Sequence, residues 1–368
     1  MNVRLWAVNA LTGAVVSELP AMSGSFTSRF GGGTCDLTVP LGNLKRRDSS
    51  EVDWPAVARV IDVLSTGRRT VVLTAGTNVL GEWLLMERPE VIGEGLLAVQ
   101  GMEWDGYPAL RSLHASYEYK TATEQLAIAK TLLLDAFQGW QEAFQITVPT
   151  SSSGVKRTGK WRTREGYYSD ALDEISQPED GFDWRVGHTG SWSGGSLTKV
   201  NRTVRFGSPE IKQSSSIVVR HDGPGTRSGN CLSFEQTIDS RNYLHSVYAW
   251  GAGDGAKQLF YEKADDTLAT QGHVKITKNL SYPNIIRQAA LAALASAELK
   301  AGQNLRNPAK AVLVADKLPA LPKLGDLITA QIAPTWTIPA GYNGTMRVGE
   351  VRLPVTAGML DTVEVGAI

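Results

Sequence analysis

The stretch Val247-Tyr-Ala-Trp250, followed by Gly251-Ala-Gly253-Asp-Gly255, sets the class of fold to look for. A short apolar run that halts in clustered glycines is a strand entering a tight turn, and alternate glycines invite comparison with the nucleotide-binding GxGxxG motif. The third glycine falls one position early for that motif. Lys257-Gln-Leu-Phe-Tyr261 then continues as another strand, where a dinucleotide fold needs a long helix. The three glycines are therefore expected to serve a structural turn, in which Gly251, Gly253 and Gly255 let the chain reverse without side-chain obstruction.

Composition points the same way. The 368 residues contain 37 glycines and 16 prolines beside 42% hydrophobic and 20% charged residues, the balance of a globular chain rich in turns and strands. A chain of this length normally divides its core among several domains. Its 37 Lys and Arg are offset by 37 Asp and Glu, so the molecule lacks the overall positive field that steers proteins onto nucleic acid. Cys35 and Cys231 are too few and too far apart for a disulfide framework or a metal cluster, and they are expected as buried free thiols. The opening Met1-Asn-Val-Arg-Leu-Trp-Ala-Val8 lacks the apolar core of a signal peptide, and no later run is apolar enough to span a bilayer as a helix.

Short strand candidates dominate residues 1–112. Cys35, Leu37, Val39 and Leu41 alternate with polar or small residues, which places them on one face of a sheet as the expected core of a first β domain. Further strands at Thr70–Leu73, Val79–Met86 and Leu96–Gln100 recur at a spacing that favours a small barrel or sandwich. Trp54–Leu64 fits either a helix or a strand-bearing insert. From residue 113 the period changes: Thr121-Ala-Thr-Glu124 has the form of a capping box, and Leu126, Ala129, Leu133 and Phe137 follow at helical spacing. A second helix is expected over Tyr168–Ile175, which makes residues 113–215 an α+β insertion. Residues 216–368 return to strands, interrupted by a long helix near 283–301 with Ile286, Ala290, Leu294 and Ala297 on its packing face.

The sequence presents no recognisable catalytic constellation. The five histidines, His114, His188, His221, His245 and His273, form no HExxH motif and no close cluster with cysteine. His221-Asp222 approaches a reactive pair but has no nucleophile elbow to serve. Asp170, Asp173, Glu174, Glu179 and Asp180 make an acidic run that fits a solvated helix and turn better than a glycosidase pair. Asp265-Asp266 offers too few oxygen ligands for calcium. The densest basic segment, Lys156-Arg157-Thr-Gly-Lys160-Trp161-Arg162-Thr-Arg164, has charges around a ring as a nucleic-acid contact would, but a solvated or subunit-contact loop is the simpler expectation. No catalytic residue, metal ligand or cofactor site is assigned.

The order of parts carries a resemblance. Asp36-Leu-Thr-Val-Pro-Leu41 is followed by Leu96-Leu-Ala-Val-Gln-Gly-Met-Glu-Trp-Asp-Gly-Tyr-Pro-Ala-Leu-Arg111, the Thr121 helix, Phe182-Asp-Trp-Arg-Val186 and Val204-Arg-Phe-Gly207. Ser240-Arg-Asn242, Ala249-Trp-Gly-Ala-Gly253, the long helix and Leu324-Gly-Asp326 complete the series. This order resembles the tail hub, or baseplate hub, minor tail proteins of long-tailed bacteriophages known as siphovirus Gp37-like, over nearly the whole chain. The resemblance implies a mainly β chain with α+β insertions and two related β-barrel domains. It also implies a non-enzymatic homotrimer in the virion, at the distal end of the tail, synthesised in the host cytoplasm. Three subunits with two barrels each would make a pseudo-sixfold ring. Its implied partners are a hexameric distal tail protein, the tape-measure protein and tip or fibre proteins, with DNA passing without sequence-specific binding and the host envelope close by during infection. Asn242 and Trp250 are then candidates for ring contacts or local packing. An adsorption or carbohydrate-binding role, suggested by ten tryptophans, and a cell-wall hydrolase are the competing readings.

Overall fold

Alternating burial builds the first core strand. In Thr34-Cys-Asp-Leu-Thr-Val-Pro40, Cys35, Leu37 and Val39 are buried while Thr34, Asp36 and Thr38 face solvent, the period-2 pattern of a sheet with one dry face. Leu41 begins a short 3-10 turn and is partly buried against the same core. The computed structural model describes all residues except 21, 47–49, 90–94, 139–143, 179, 224, 226–227, 237–242 and 304–308.

The chain opens with β1 (Arg4–Asn9), β2 (Val15–Leu19), β3 (Ser23–Arg29) and β4 (Thr34–Pro40). Helix α1 (Trp54–Val63) settles the ambiguous early segment: the Asp53 carboxylate accepts from Ala56 N–H at its N-terminus, and Pro55 occupies its first turn. Strands β5 (Arg69–Ala75), β6 (Asn78–Glu87) and β7 (Leu96–Glu103) complete the first run, and Trp104–Leu110 forms a 3-10 segment. Then come β8 (Tyr117–Glu124), α2 (Gln125–Gln138), β9 (Ile146–Thr147), β10 (Lys156–Trp161), α3 (Tyr168–Ser176), β11 (Asp183–Ser193) and β12 (Ser196–Gly207). The remainder comprises β13 (Gln213–His221), β14 (Cys231–Gln236), β15 (Ser246–Trp250), β16 (Phe260–Ala264), α4 (Thr267–Thr270), β17 (Thr277–Ser281) and α5 (Gln288–Gln303). It ends with β18 (Ala309–Val314), β19 (Asp326–Ile332), β20 (Tyr342–Thr356), β21 (Met359–Leu360) and β22 (Thr362–Ala367).

Fourteen of these strands form one sheet with the path β14-β18-β22-β20-β3-β4-β7-β6-β5-β1-β2. β21 pairs with β20, and β19 joins β20 to β13. Pairing is antiparallel throughout, except between β13 and β19. The two β-barrels expected from the sequence are not formed. Both runs of strands belong to one open ladder, joined where Glu350–Val355 of β20 pairs with Gly24–Arg29 of β3. Val351, Leu353 and Val355 thereby enter the same core as Phe26, Leu37 and Val39, so the two runs share one apolar layer. Cys35, Leu37 and Val39 face that shared layer and not a barrel interior. At the far end, closure would require a ladder between β13 and β14. The Asn230 side chain takes up the backbone groups involved, donating to Val218 O at 2.7 Å and accepting from Arg220 N–H at 2.8 Å.

Smaller sheets complete the fold: β8 with β10, β9-β12-β11, and β16-β15-β17. A second apolar cluster gathers α2, α3 and the inner faces of β11 and β12, and a third seats α5 on β15. Two helix expectations change. Thr121–Glu124 is strand paired with β10, and Glu124 itself caps α2 by accepting from Ala127 N–H at 2.9 Å. α5 starts at Gln288 and buries Leu291, Leu294, Ala295 and Leu299, so of the expected packing face only Leu294 is buried, and Ile286 is exposed.

Trp83 is fully buried against Phe26, with ring centroids 5.0 Å apart, and its indole N–H donates to Thr27 O at 3.0 Å, which pins β6 over β3. Trp83→Ala is expected to cost about 3–5 kcal/mol of unfolding free energy, as read by urea denaturation.

Candidate functional site

A charged residue on an apolar strand face is the strongest local anomaly in the molecule. Along β12, Val200, Arg202 and Val204 share one buried face, and along β6 Glu82 sits among buried Gly81, Trp83, Leu84 and Leu85. The structure brings these two charges together. Arg202 Nε and Nη2 donate to Glu82 Oε2 and Oε1 at 2.9 and 2.7 Å, a bidentate pair with both side chains fully buried. The rest of the guanidinium is also spoken for: Nη1 donates to Ala10 O at 2.6 Å, and the cation lies 4.8 Å from the centre of the Trp104 ring. Thr70 Oγ1 donates to Glu82 Oε1 at 2.6 Å. These contacts outweigh the burial penalty and hold the Glu82 carboxyl below its ordinary range. His188 lies 3.4 Å from Glu82 without a hydrogen bond, and burial pushes its pKa down to about 4, so it is neutral near pH 7.

Next to this pair are two further buried carboxyls. Glu103 accepts from Ser28 Oγ at 2.5 Å and from Gly33 N–H at 2.8 Å. A Cβ at position 33 would stand 1.9 Å from Thr27 O, so only glycine brings the amide this close. Asp105 accepts from Val186 N–H at 2.5 Å through Oδ1, while Oδ2 is buried without a partner. Burial, together with the nearby Glu103 charge, pushes Asp105 up to about 7. β6, β7, the 3-10 segment and the β11–β12 hairpin thus meet through a polar interface inside the protein. Sequence reading missed it, although Glu82 within Gly-Glu-Trp-Leu-Leu and Arg202 between two inward valines were the signals.

The residues singled out from the sequence lie elsewhere. Gly251 N–H donates to Leu259 O at 2.7 Å; Gly253 has φ +109°, and a Cβ there would stand 2.6 Å from Lys257 O; Gly255 has φ +54° in open space. Trp250 packs on Phe260 at 4.5 Å across β15 and β16, beside Tyr248. Asn242 lies outside the described residues, as does Glu179. The basic segment forms β10, and it meets the acidic run: Arg157 pairs with Asp180, and Trp161 Nε1 donates to Glu174 Oε2 at 2.7 Å. Lys160 pairs with Glu118 at 3.1 Å. Glu174 also accepts from Asn284 at 3.2 Å, and Arg287 donates to Lys120 O at 3.2 Å, so a groove of about 320 Å³ remains where β8, β10 and α3 approach α5. Asp170 accepts from Tyr167 N–H at the start of α3, and Asp266 pairs with His245 at 2.6 Å and Lys275 at 3.1 Å. His221 and Asp222 bond within their own loop, to Gly223 and Ser228. Among the described residues, no group of three or more His, Cys, Asp or Glu is arranged to hold a metal ion.

The exposed surface carries one outlying feature. Trp336, at the tip of the β19–β20 loop, is 93% exposed, yet the loop under it is fixed by Thr335 N–H donating to Ile338 O at 3.0 Å and Ile338 N–H donating to Thr335 Oγ1 at 3.1 Å. The ring is thus fully solvated on a hydrogen-bonded turn.

Two outcomes follow from the buried interface. Arg202→Met leaves Glu82 buried and unpaired, and is expected to cost about 3–5 kcal/mol in chemical denaturation. For Asp105, the folded pKa of about 7 exceeds the ordinary 3.8, so its contribution to stability is lost as pH rises from about 4 to about 7. His188, at about 4 against 6.5, acts oppositely, losing stability as pH falls through that window. Asp105→Asn keeps the acceptor for Val186 and removes the charge, and is expected to be roughly 1–3 kcal/mol more stable than the parent at pH 8, with little difference near pH 4, in urea titrations at both pH values.

No protein-family model matches the sequence, and no curated protein matches it. Solved structures do. The tail protein from Neisseria meningitidis MC58 is similar with a TM-score of 0.60 at 10% identity, over 100% of this chain and 96% of that one. The tail protein of prophage MuSo2 from Shewanella oneidensis gives 0.59 at 10% identity, over 100% and 98%. A prophage tail protein from Listeria monocytogenes EGD-e gives 0.51 at 9% identity, over 100% and 94%. Identities this low speak for architecture alone, and the architecture is shared end to end: the chain has the fold of these phage tail proteins.

Proposed function

We propose that this chain is a non-catalytic structural component of a phage tail, acting as a hub subunit at the distal tail tip. The observation that carries the reading is the likeness of the whole chain to nearly the whole length of tail proteins, with neither side contributing a large unmatched region. In this role, three copies assemble around the tail axis and join the distal tail ring to the tip or fibre proteins. Each copy brings a sheet with two runs of strands, so a trimer offers six such runs to a sixfold ring. The open ladder ends at β2, β13 and β14, and strand edges of this kind are natural places for neighbouring subunits to add. Trp336 is the side chain best placed to anchor a neighbour. The channel enclosed by such a ring would pass DNA by shape and not by sequence, in keeping with balanced charge and a basic segment in which Arg157 and Lys160 are already paired with carboxylates.

A second reading, saccharide binding on the outer face of β15–β17, is favoured by the adjacent Tyr248, Trp250 and Phe260 rings. Quenching of tryptophan fluorescence by host cell-wall polysaccharide, abolished by Trp250→Ala, would support it over the hub.

The hub reading is tested by light scattering after size separation across a concentration series. A stable mass three times the 39.7 kDa chain is expected, and a monomer at every concentration, alone and with isolated tail tubes, counts against it. Trp336→Ala is expected to leave the melting temperature unchanged and to weaken self-association or ring binding by roughly tenfold or more, because an exposed aromatic anchor contributes to binding and not to folding.

A further inference from the structure

Antiparallel pairing in the β11–β12 hairpin sets Arg185 directly opposite Arg205. Like charges across a strand pair repel each other. No carboxylate is in direct contact with them: among the described residues, neither arginine side chain is hydrogen-bonded or ion-paired, and Arg185 Nε is buried without an acceptor. The two line a cavity of about 110 Å³ together with Lys323, and the lining includes no Asp or Glu. Gly187 lets the Arg205 side chain lie close over the hairpin, where a Cβ would stand 2.7 Å from Arg205 Nε. Glu103 and Asp105 attract Arg185 without hydrogen-bonding it: the Glu103 oxygens serve Ser28 and Gly33, Asp105 Oδ1 serves Val186 while its Oδ2 makes no hydrogen bond, and burial biases both carboxyls toward the neutral form.

We infer that this cavity is an anion site that takes a small tetrahedral oxyanion of the phosphate or sulfate class, held by Arg185, Arg205 and Lys323. One water needs roughly 10–15 Å³ of such space, so the cavity has room for an ion of this kind with water beside it. Several acceptor oxygens on one small ion suit two guanidinium forks and an ammonium better than a lone halide does. The site lies where the hairpin meets the Leu321–Leu324 segment and β20, so the bound ion cross-links the inserted hairpin to the C-terminal run of strands.

The test is titration of the full chain with inorganic phosphate and with sulfate, followed by calorimetry and thermal unfolding, against chloride at matched ionic strength. Saturable binding with a raised melting temperature is expected. Arg205→Gln and Lys323→Gln, both at exposed side chains, should fold normally and weaken phosphate binding by roughly tenfold each. Absence of saturable binding by the parent chain overturns the inference, as does binding that both variants leave unchanged. It is equally overturned if Arg205→Gln melts above the parent in chloride and phosphate stabilises neither, because the arginine pair is then mere repulsion.

Discussion

The Arg202–Glu82 pair is the constraint on which the arrangement of the molecule rests. Removing two charges from water costs several kcal/mol per ion, and apolar residues of similar volume often serve stability as well. What the pair supplies is direction. Apolar burial is non-directional, whereas a bidentate pair tied also to Ala10 O and Thr70 is satisfied in one geometry. The β11–β12 hairpin therefore seats on β6 in one register, and α2 and α3, which pack on the hairpin's inner face, inherit that placement.

Beside this satisfied pair, the same junction holds groups that are less well served. Asp105 has an oxygen without a partner, and Arg185 faces Arg205 with a buried nitrogen unused. Buried polar groups are nearly always hydrogen-bonded, so orphans of this kind are informative about what the site was shaped for. Their concentration at the meeting of the hairpin with both runs of strands suggests that the junction is tuned for position at some expense of stability, as expected where a surface built from separate parts must match a neighbour.

Much of the fold was legible in the sequence, and the limits have physical causes. Period-2 burial around Cys35, Leu37 and Val39 identified a sheet face, and the clustered glycines marked a break after Trp250. Such patterns reveal which face of a strand is dry, but not which strand lies beside it. That is why the sequence suggested two barrels where the pairing of β20 with β3 makes one open sheet. The deciding residue at the unclosed end, Asn230, is a single amide in a polar loop, indistinguishable beforehand from any other turn asparagine. The buried face of α5 differs from the expected one because an alanine-rich run has nearly equal propensity at every frame, so Leu291, Ala295 and Leu299 set it once β15 was there to receive them. Glu82 and Arg202 were readable as charges at inward strand positions, yet their partnership is a fact of three dimensions, 120 residues apart in the chain.

The open ladder and the rigid junction bear jointly on assembly. A closed barrel would have no edge to offer, while this sheet ends at β2, β13 and β14, whose outer backbone groups are not met by a further strand of the same ladder. In the proposed hub, a subunit that presents strand edges and the Trp336 loop to neighbours gains affinity when its parts are already fixed, because little freedom is then lost on binding. In that role, buried charge that costs folding stability but fixes the hairpin to the sheet would move the ordering cost from the moment of assembly to the moment of folding. The same logic accounts for a solvated tryptophan on a hydrogen-bonded loop: its ring is held in place before any partner arrives, so burial of the ring contributes to binding with little offset from ordering the loop.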